Sequence, residues 1–200
     1  AKDNDKNVYT LLTEEANAKE LIETTEAGLD IIKSTDNLAT IENELNGNNI
    51  KSLKGNLAGI KNNYDYIIID TPPAINKVTM SALISADGVI IPVLSDLYSV
   101  QGLTNLNDHI EYVKTNFNKD LKIEGLLINQ NQERLLVNKQ LEEVFNKFSK
   151  ALNTKVFKAR IRESVVIRKN QIEQTNIFKK DKHAKVTNDY KELIKEIIKG

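Results

Sequence analysis

Residues 64–73 read YDYIIIDTPP, and the fold follows from how this stretch is understood. Residues 66–69 (YIII) are apolar and rich in β-branched side chains, with no polar alternation. Such a run predicts a strand buried on both faces of a parallel sheet. It delivers Asp70 at its carboxyl end, where Pro72 and Pro73 stiffen the turn that follows. Ligands of open α/β sheets sit at the carboxyl ends of strands. A carboxylate there can hold Mg²⁺, directly or through water, beside a phosphate. The same pattern also suits an ordinary strand-ending Asp that caps the next helix.

Four further apolar runs read as strands: residues 29–32 (LDII), 89–94 (VIIPVL), 123–128 (IEGLLI) and 156–161 (VFKARI). Between them lie stretches with helical spacing. Leu103, Leu106, Ile110 and Val113 form one stripe, and Leu141, Val144, Phe145 and Phe148 another. Tyr190, Leu193, Ile194, Ile197 and Ile198 form a third, opposite Lys191, Lys195 and Lys199. Thr13 with Glu14 and Glu15 reads as a helix start, as does Ser34-Thr35-Asp36 before Leu38, Ile41 and Leu45. Asn46-Gly47 ends the latter helix, and Gly200 closes the last one. Strands alternating with helices define an α/β fold, a mostly parallel sheet in three layers with helices on its faces. No repeat or Pro/Gly/Ser linker interrupts the chain, so residues 1–200 are expected to form a single domain.

The chain has 200 residues and no cysteine, which removes disulfides, thiol catalysis and zinc–thiolate sites and fits a reducing, cytoplasmic compartment. No stretch is long and apolar enough to span a bilayer, and the first twenty residues do not resemble a signal peptide. Net charge is +0 but unevenly spread: residues 1–70 hold 7 Lys/Arg against 13 Asp/Glu, residues 155–200 hold 13 against 6. A basic end of that kind suits an anionic polymer, and equally a solvated surface.

Several blocks together resemble one family, the ParA/Soj/MinD group of deviant-Walker P-loop ATPases, and within it ParA partition proteins most. Residues 64–93 resemble its Walker B strand, D-x-P-P turn, helix and I-P-V strand. Residues 95–106 are similar to its next helix start, and residues 123–145 to the strand and helix beyond. Residues 155–171 (KVFKARIRESVVIRKNQ) resemble its strand with adenine contacts and basic residues, and residues 21–45 its third strand and following helix. The resemblance runs from Val8 onward. The family's nucleotide site rests on a K-G-G-x-G-K-[ST] loop, but no glycine here is followed by Lys. The Gly55–Gly59 cluster lies within a helical pattern. The chain is therefore expected to be the later part of a longer ATPase, P-loop-less as it stands and inactive in ATP hydrolysis. An unpaired apolar edge at residues 66–69 would then favour self-pairing or rearrangement.

What the resemblance implies for single residues is specific. Asp70 would be the catalytic carboxylate and orient the Mg²⁺ shell, and Asp70, Thr71 and Pro72 would border the nucleotide. Asn129 and Gln130 fall where the family contacts adenine, and Asn can read that base with its donor and acceptor, although Asn is also common turn chemistry. Ile161 and Arg162 occupy the place of an Ile-Pro pair beside the base. Arg160, Arg162, Arg168 and Lys169 would bind DNA non-specifically through phosphates. Ser164 is a candidate N-cap before Arg168. His109 and His183 lack a partner at ligand spacing, and Glu14-Glu15 and Glu142-Glu143 read as solvated helix faces. The implied function is a ParA-type partition ATPase for plasmid or chromosome segregation. It would be nucleoid-associated, forming a homodimer with ATP and Mg²⁺ and stimulated by a ParB-like centromere-binding protein. The alternatives are a catalytically inactive module for DNA or a protein partner, and a MinD-like division-site ATPase. The Lys/Glu alternation of the last helix argues against the membrane anchor of the latter.

Overall fold

The computed structural model describes residues 7–34, 40–94, 96–132 and 137–199. They fall into two compact units, residues 1–87 with 108–121 and residues 88–107 with 122–200.

In the first unit, α1 (Val8–Thr13) starts where the Asn7 side chain accepts the Tyr9 N–H at 2.8 Å. Thr13 and Glu14 end this helix rather than begin one, because Asn7 supplies the cap and the Glu14 N–H closes on the Thr10 carbonyl. The 29–32 run does not enter a parallel sheet. Gly28, at φ 78, turns the chain back so that β1 (Glu23–Thr24) and β2 (Asp30–Ile31) pair antiparallel. The helix expected around Leu38, Ile41 and Leu45 is seen only as a 3₁₀ turn at Ile41–Asn43, while residues 35–39 lie outside the described residues. Ile41 and Leu45 are nonetheless fully buried. α2 (Ser52–Ala58) absorbs the glycine cluster and ends at Gly59. α3 (Lys77–Ser85) is capped by Asn76, whose side chain accepts the Thr79 N–H at 3.1 Å. The Asn118 amide donates to the Leu83 and Ala86 carbonyls at 3.1 and 2.7 Å and so holds the end of α3.

Residues 66–69 depart furthest from expectation. They form no ladder, and residues 65–72 make no backbone–backbone hydrogen bond among the described residues. Tyr66 and Ile68 are 60% and 90% exposed. A strand is buried by neighbours on both edges, and the unit's other short apolar run is consumed by its own hairpin.

The second unit keeps the expected parallel architecture. β3 (Gly88–Leu94) and β4 (Lys122–Asn129) pair in parallel, with Ile91 opposite Leu126. Glu124 is an extra residue in that ladder, since Val89 faces Ile123 and Ile90 faces Gly125. Gly125, at φ 159, lies so close to Phe157 that an added Cβ would stand 2.6 Å from its ring. Residues 155–162 run beside β4 as two parallel bridges, Leu126 with Val156 and Asn131 with Arg162. One extra residue on their side breaks the continuous strand expected over 156–161. The N–H groups of Lys158 and Ala159, bulged out of the ladder, donate instead to the Glu196 carboxylate at 3.0–3.1 Å.

α4 (Leu97–Asn116) carries its predicted stripe, with Leu103, Ile110 and Val113 buried, and α5 (Val137–Ala151) buries Phe145. α6 (Val165–Ile172) begins at Ser164, whose hydroxyl accepts the Val166 N–H at 3.2 Å. α7 (Ile177–Lys180) and α8 (Lys185–Lys199) follow, and Gly200 lies outside the described residues. Leu193 of α8 is buried with Leu127, Phe157, Ile161 and Val186, and Tyr190 and Ile197 pack against that cluster. Ile194 and Ile198, expected on the same stripe, face solvent.

Candidate functional site

Asp70, Thr71 and Pro72 lie together in the first unit, exposed along a groove of about 1270 Å³ that Leu29, Ile31 and Ile68 also line. Because Asn76 caps α3, Asp70 does not cap that helix. On the same wall Asp30 accepts hydrogen bonds from the Thr24 hydroxyl at 2.5 Å and the Tyr64 hydroxyl at 2.7 Å. These bonds, Thr24 foremost, hold the Asp30 carboxyl below the usual range, and the same contact with Asp30 pushes the Tyr64 phenol up.

The groove's donors can be tested against MgATP. The described residues contain no cluster of three metal-binding side chains, so an Mg²⁺ ion at Asp70 would take its remaining ligands from water and phosphate. A triphosphate needs a run of backbone N–H groups and a lysine. The lysine lining the groove is Lys33, in an exposed pair with Glu23 at 2.5 Å. The groove therefore offers Asp70 and one lysine but no glycine-rich phosphate loop, since no glycine in the sequence is followed by Lys.

The remaining candidates lie in the second unit, around the end of β4. Asn129 accepts the Gln130 N–H at 2.9 Å, and Gln130 is left-handed at φ 49, so this amide serves a turn. The Asn131 N–H donates to the Ile161 carbonyl at 2.9 Å, which joins this turn to the 155–162 segment. The Ile161 side chain is 2% exposed and belongs to the core.

Each arginine of the basic block meets a carboxylate. Arg162 makes a two-pronged pair with Asp189 of α8, Nε to Oδ2 at 2.6 Å and Nη2 to Oδ1 at 2.8 Å. Its backbone N–H also donates to Oδ2 at 3.2 Å. Arg160 pairs with Glu142 of α5, and Arg168 with Glu163. The second oxygen of Glu163 accepts the Gln132 amide at 2.7 Å. Arg160 and Arg162 thus reach different helices. Lys169 is exposed beside Arg168. Sequence reading missed Asp189, Glu163, Glu142 and Glu196. Glu142 was read as a solvated helix residue, and no local pattern flags the others as partners.

These features define a class: a P-loop NTPase-like α/β fold with a parallel sheet and flanking helices. The model of the AAA domain AAA_31 matches residues 1–123. The sporulation initiation inhibitor protein Soj of Bacillus subtilis is 34% identical over 95% of this chain and 75% of its own length. The chromosome partitioning protein ParA of Myxococcus xanthus is 36% identical over 72% of this chain and 52% of its own. The chain belongs to this ParA/Soj family. It spans about half the length of some relatives and three quarters of Soj. A plasmid partition protein from Borrelia burgdorferi has the same fold, with TM-score 0.73 and 22% identity over 100% of this chain and 74% of that one. So does cobyrinic acid a,c-diamide synthase from Mycobacterium smegmatis with bound ATP analogue and magnesium, at TM-score 0.70 and 22% identity over 82% and 68%. No helix among the described residues is long and apolar enough to cross a membrane.

Proposed function

We propose that this chain serves DNA segregation as a ParA-type partition protein, binding DNA non-specifically through residues 155–200. The observation that carries this reading is the 34% identity to Soj along 95% of the chain. In that scheme MgATP joins two copies that carry the P-loop segment, the dimer holds DNA on the nucleoid, and a ParB-like centromere-binding partner triggers release. A single domain in the cytoplasm follows from the same reading. Asp70 is the carboxylate assigned to the Mg²⁺ shell; when bound, MgATP would supply the phosphoryl group and the charge that Asp70 faces. The 200-residue chain itself binds ATP no better than millimolar and does not hydrolyse it, since its sequence holds no K-G-G-x-G-K-[ST] loop. Calorimetry of the chain with MgATP tests this, and a micromolar affinity overturns it.

The lack of that loop in these 200 residues also suits a second reading, a catalytically inactive module for DNA or a protein partner. The two separate in one experiment. Supplying the P-loop segment of a relative in cis restores ATP binding under the first reading and leaves it absent under the second. A MinD-like role is disfavoured by the alternation of Lys and Glu along α8, whose Leu193 is buried in the core. For DNA, Arg160, Arg168 and Lys169 are the assigned phosphate contacts. Three such contacts give a log–log salt slope of roughly −3 per subunit, with little dependence on base sequence.

A further inference from the structure

The basic block and its carboxylates are arranged in two different ways. Arg162 is held on both prongs by Asp189, whose side chain is only 11% exposed, and that carboxylate also accepts the Arg162 backbone N–H. A phosphate could replace Asp189 only by undoing the seat of residues 160–163 on α8. Arg162 is therefore a fold-holding residue. Arg168 and Arg160 differ. Arg168 is 66% exposed and Glu163 37%, while Arg160 and Glu142 are 39% and 31% exposed, a less open pair whose carboxylate is still well outside the core. Each is an ion pair that an incoming anion can reach without disturbing the core. Glu163 is held on its other side by the Gln132 amide, so its free oxygen stays aimed at Arg168 in place of turning to solvent.

We propose that Glu163 and Glu142 are built-in competitors of phosphate: in the unbound chain they occupy Arg168 and Arg160, and the phosphodiester backbone of DNA must displace them to bind. This rests on the DNA-binding reading above. The partner is recognised by its chemistry, a polyanion with oxygens spaced along a backbone. The carboxylates set its affinity by holding the same guanidinium groups in the same exposed positions. Exposed ion pairs are weak, so each latch lowers affinity only on the order of three- to fivefold. A modest latch keeps binding reversible and dependent on salt or on a second subunit.

The test is fluorescence anisotropy of the full chain with a labelled duplex of mixed sequence, across a series of salt concentrations. Glu163→Gln and Glu142→Gln are each expected to tighten binding about three- to fivefold at low salt. Each should leave the log–log slope nearly unchanged, because the arginine meets phosphate in the bound state of wild type and variant alike. Adding Arg168→Ala to Glu163→Gln should cancel that gain. Glu192→Gln, which removes the same charge from an exposed α8 pair with Lys195, is the control and should change affinity less than about twofold. The proposal is overturned if Glu192→Gln matches the other two, or if neither Glu163→Gln nor Glu142→Gln tightens binding. If neither wild type nor any variant binds at low salt, the DNA reading falls and the latch falls with it. Binding that the two latch variants leave unchanged removes the latch alone.

Discussion

Residues 66–69 and residues 126–128 are both short runs of apolar, β-favouring side chains, yet Ile68 is 90% exposed while Leu126 is fully buried. The difference lies in their neighbours. β4 has β3 on one edge and residues 155–162 on the other, and α8 contributes Leu193 to the core they share. Residues 66–69 have no paired edge among the described residues, and their apolar side chains line an open groove. Hydrophobic sequence supplies the tendency to be a strand. Pairing on both edges, with a layer above, supplies the burial.

Substitutions can break this comparison. The largest effect is expected in the paired region. Gly125→Ala drives a methyl into the Phe157 ring and towards the Lys155 carbonyl, and it should cost about 3 kcal/mol in denaturant unfolding. A loss below roughly 0.5 kcal/mol would mean the ladder is looser than described. Arg162→Ala comes next. It strands the mostly buried Asp189 carboxylate and should cost about 2 kcal/mol, whereas Arg168→Ala in its exposed pair should cost under about 0.5 kcal/mol. Equal losses would erase the distinction between a fold-holding and a surface arginine. Smallest is Ile68→Lys, which should leave unfolding within about 0.5 kcal/mol because the side chain already faces solvent. The same change should suppress concentration-dependent self-association in sedimentation, since a lysine on an open edge blocks strand pairing. A chain that is monomeric at all concentrations before the change would contradict that edge role.

Where periodicity or a cap acts locally, the sequence was readable. β3, β4, the stripes of α4 and α5, and the Ser164 cap were all legible, because spacing and side-chain chemistry decide them within one element. The place of Asp70 after an apolar run was legible too, but the exposure of that run was not, since it depends on which other segments pair. The hairpin at β1 and β2 hid behind the LDII run because the turn at Gly28 outweighs a four-residue hydrophobic pattern. The arginines were visible as a basic block. The partner of Arg162 was not, nor that of the Lys158 N–H, because Asp189 lies 27 residues from Arg162 and Glu196 38 from Lys158, distances that only the folded chain closes.

The most direct test of the contrast between the two regions is amide hydrogen exchange on the dilute chain, followed residue by residue. Amides of residues 66–69 should exchange nearly as fast as an unstructured peptide, while those of Leu126, Phe157 and Ile161 exchange at the slow rates of global unfolding. Raising the concentration should bring protection to residues 66–69 first, as copies pair along that edge. Equal protection of both regions in the dilute chain would contradict the account.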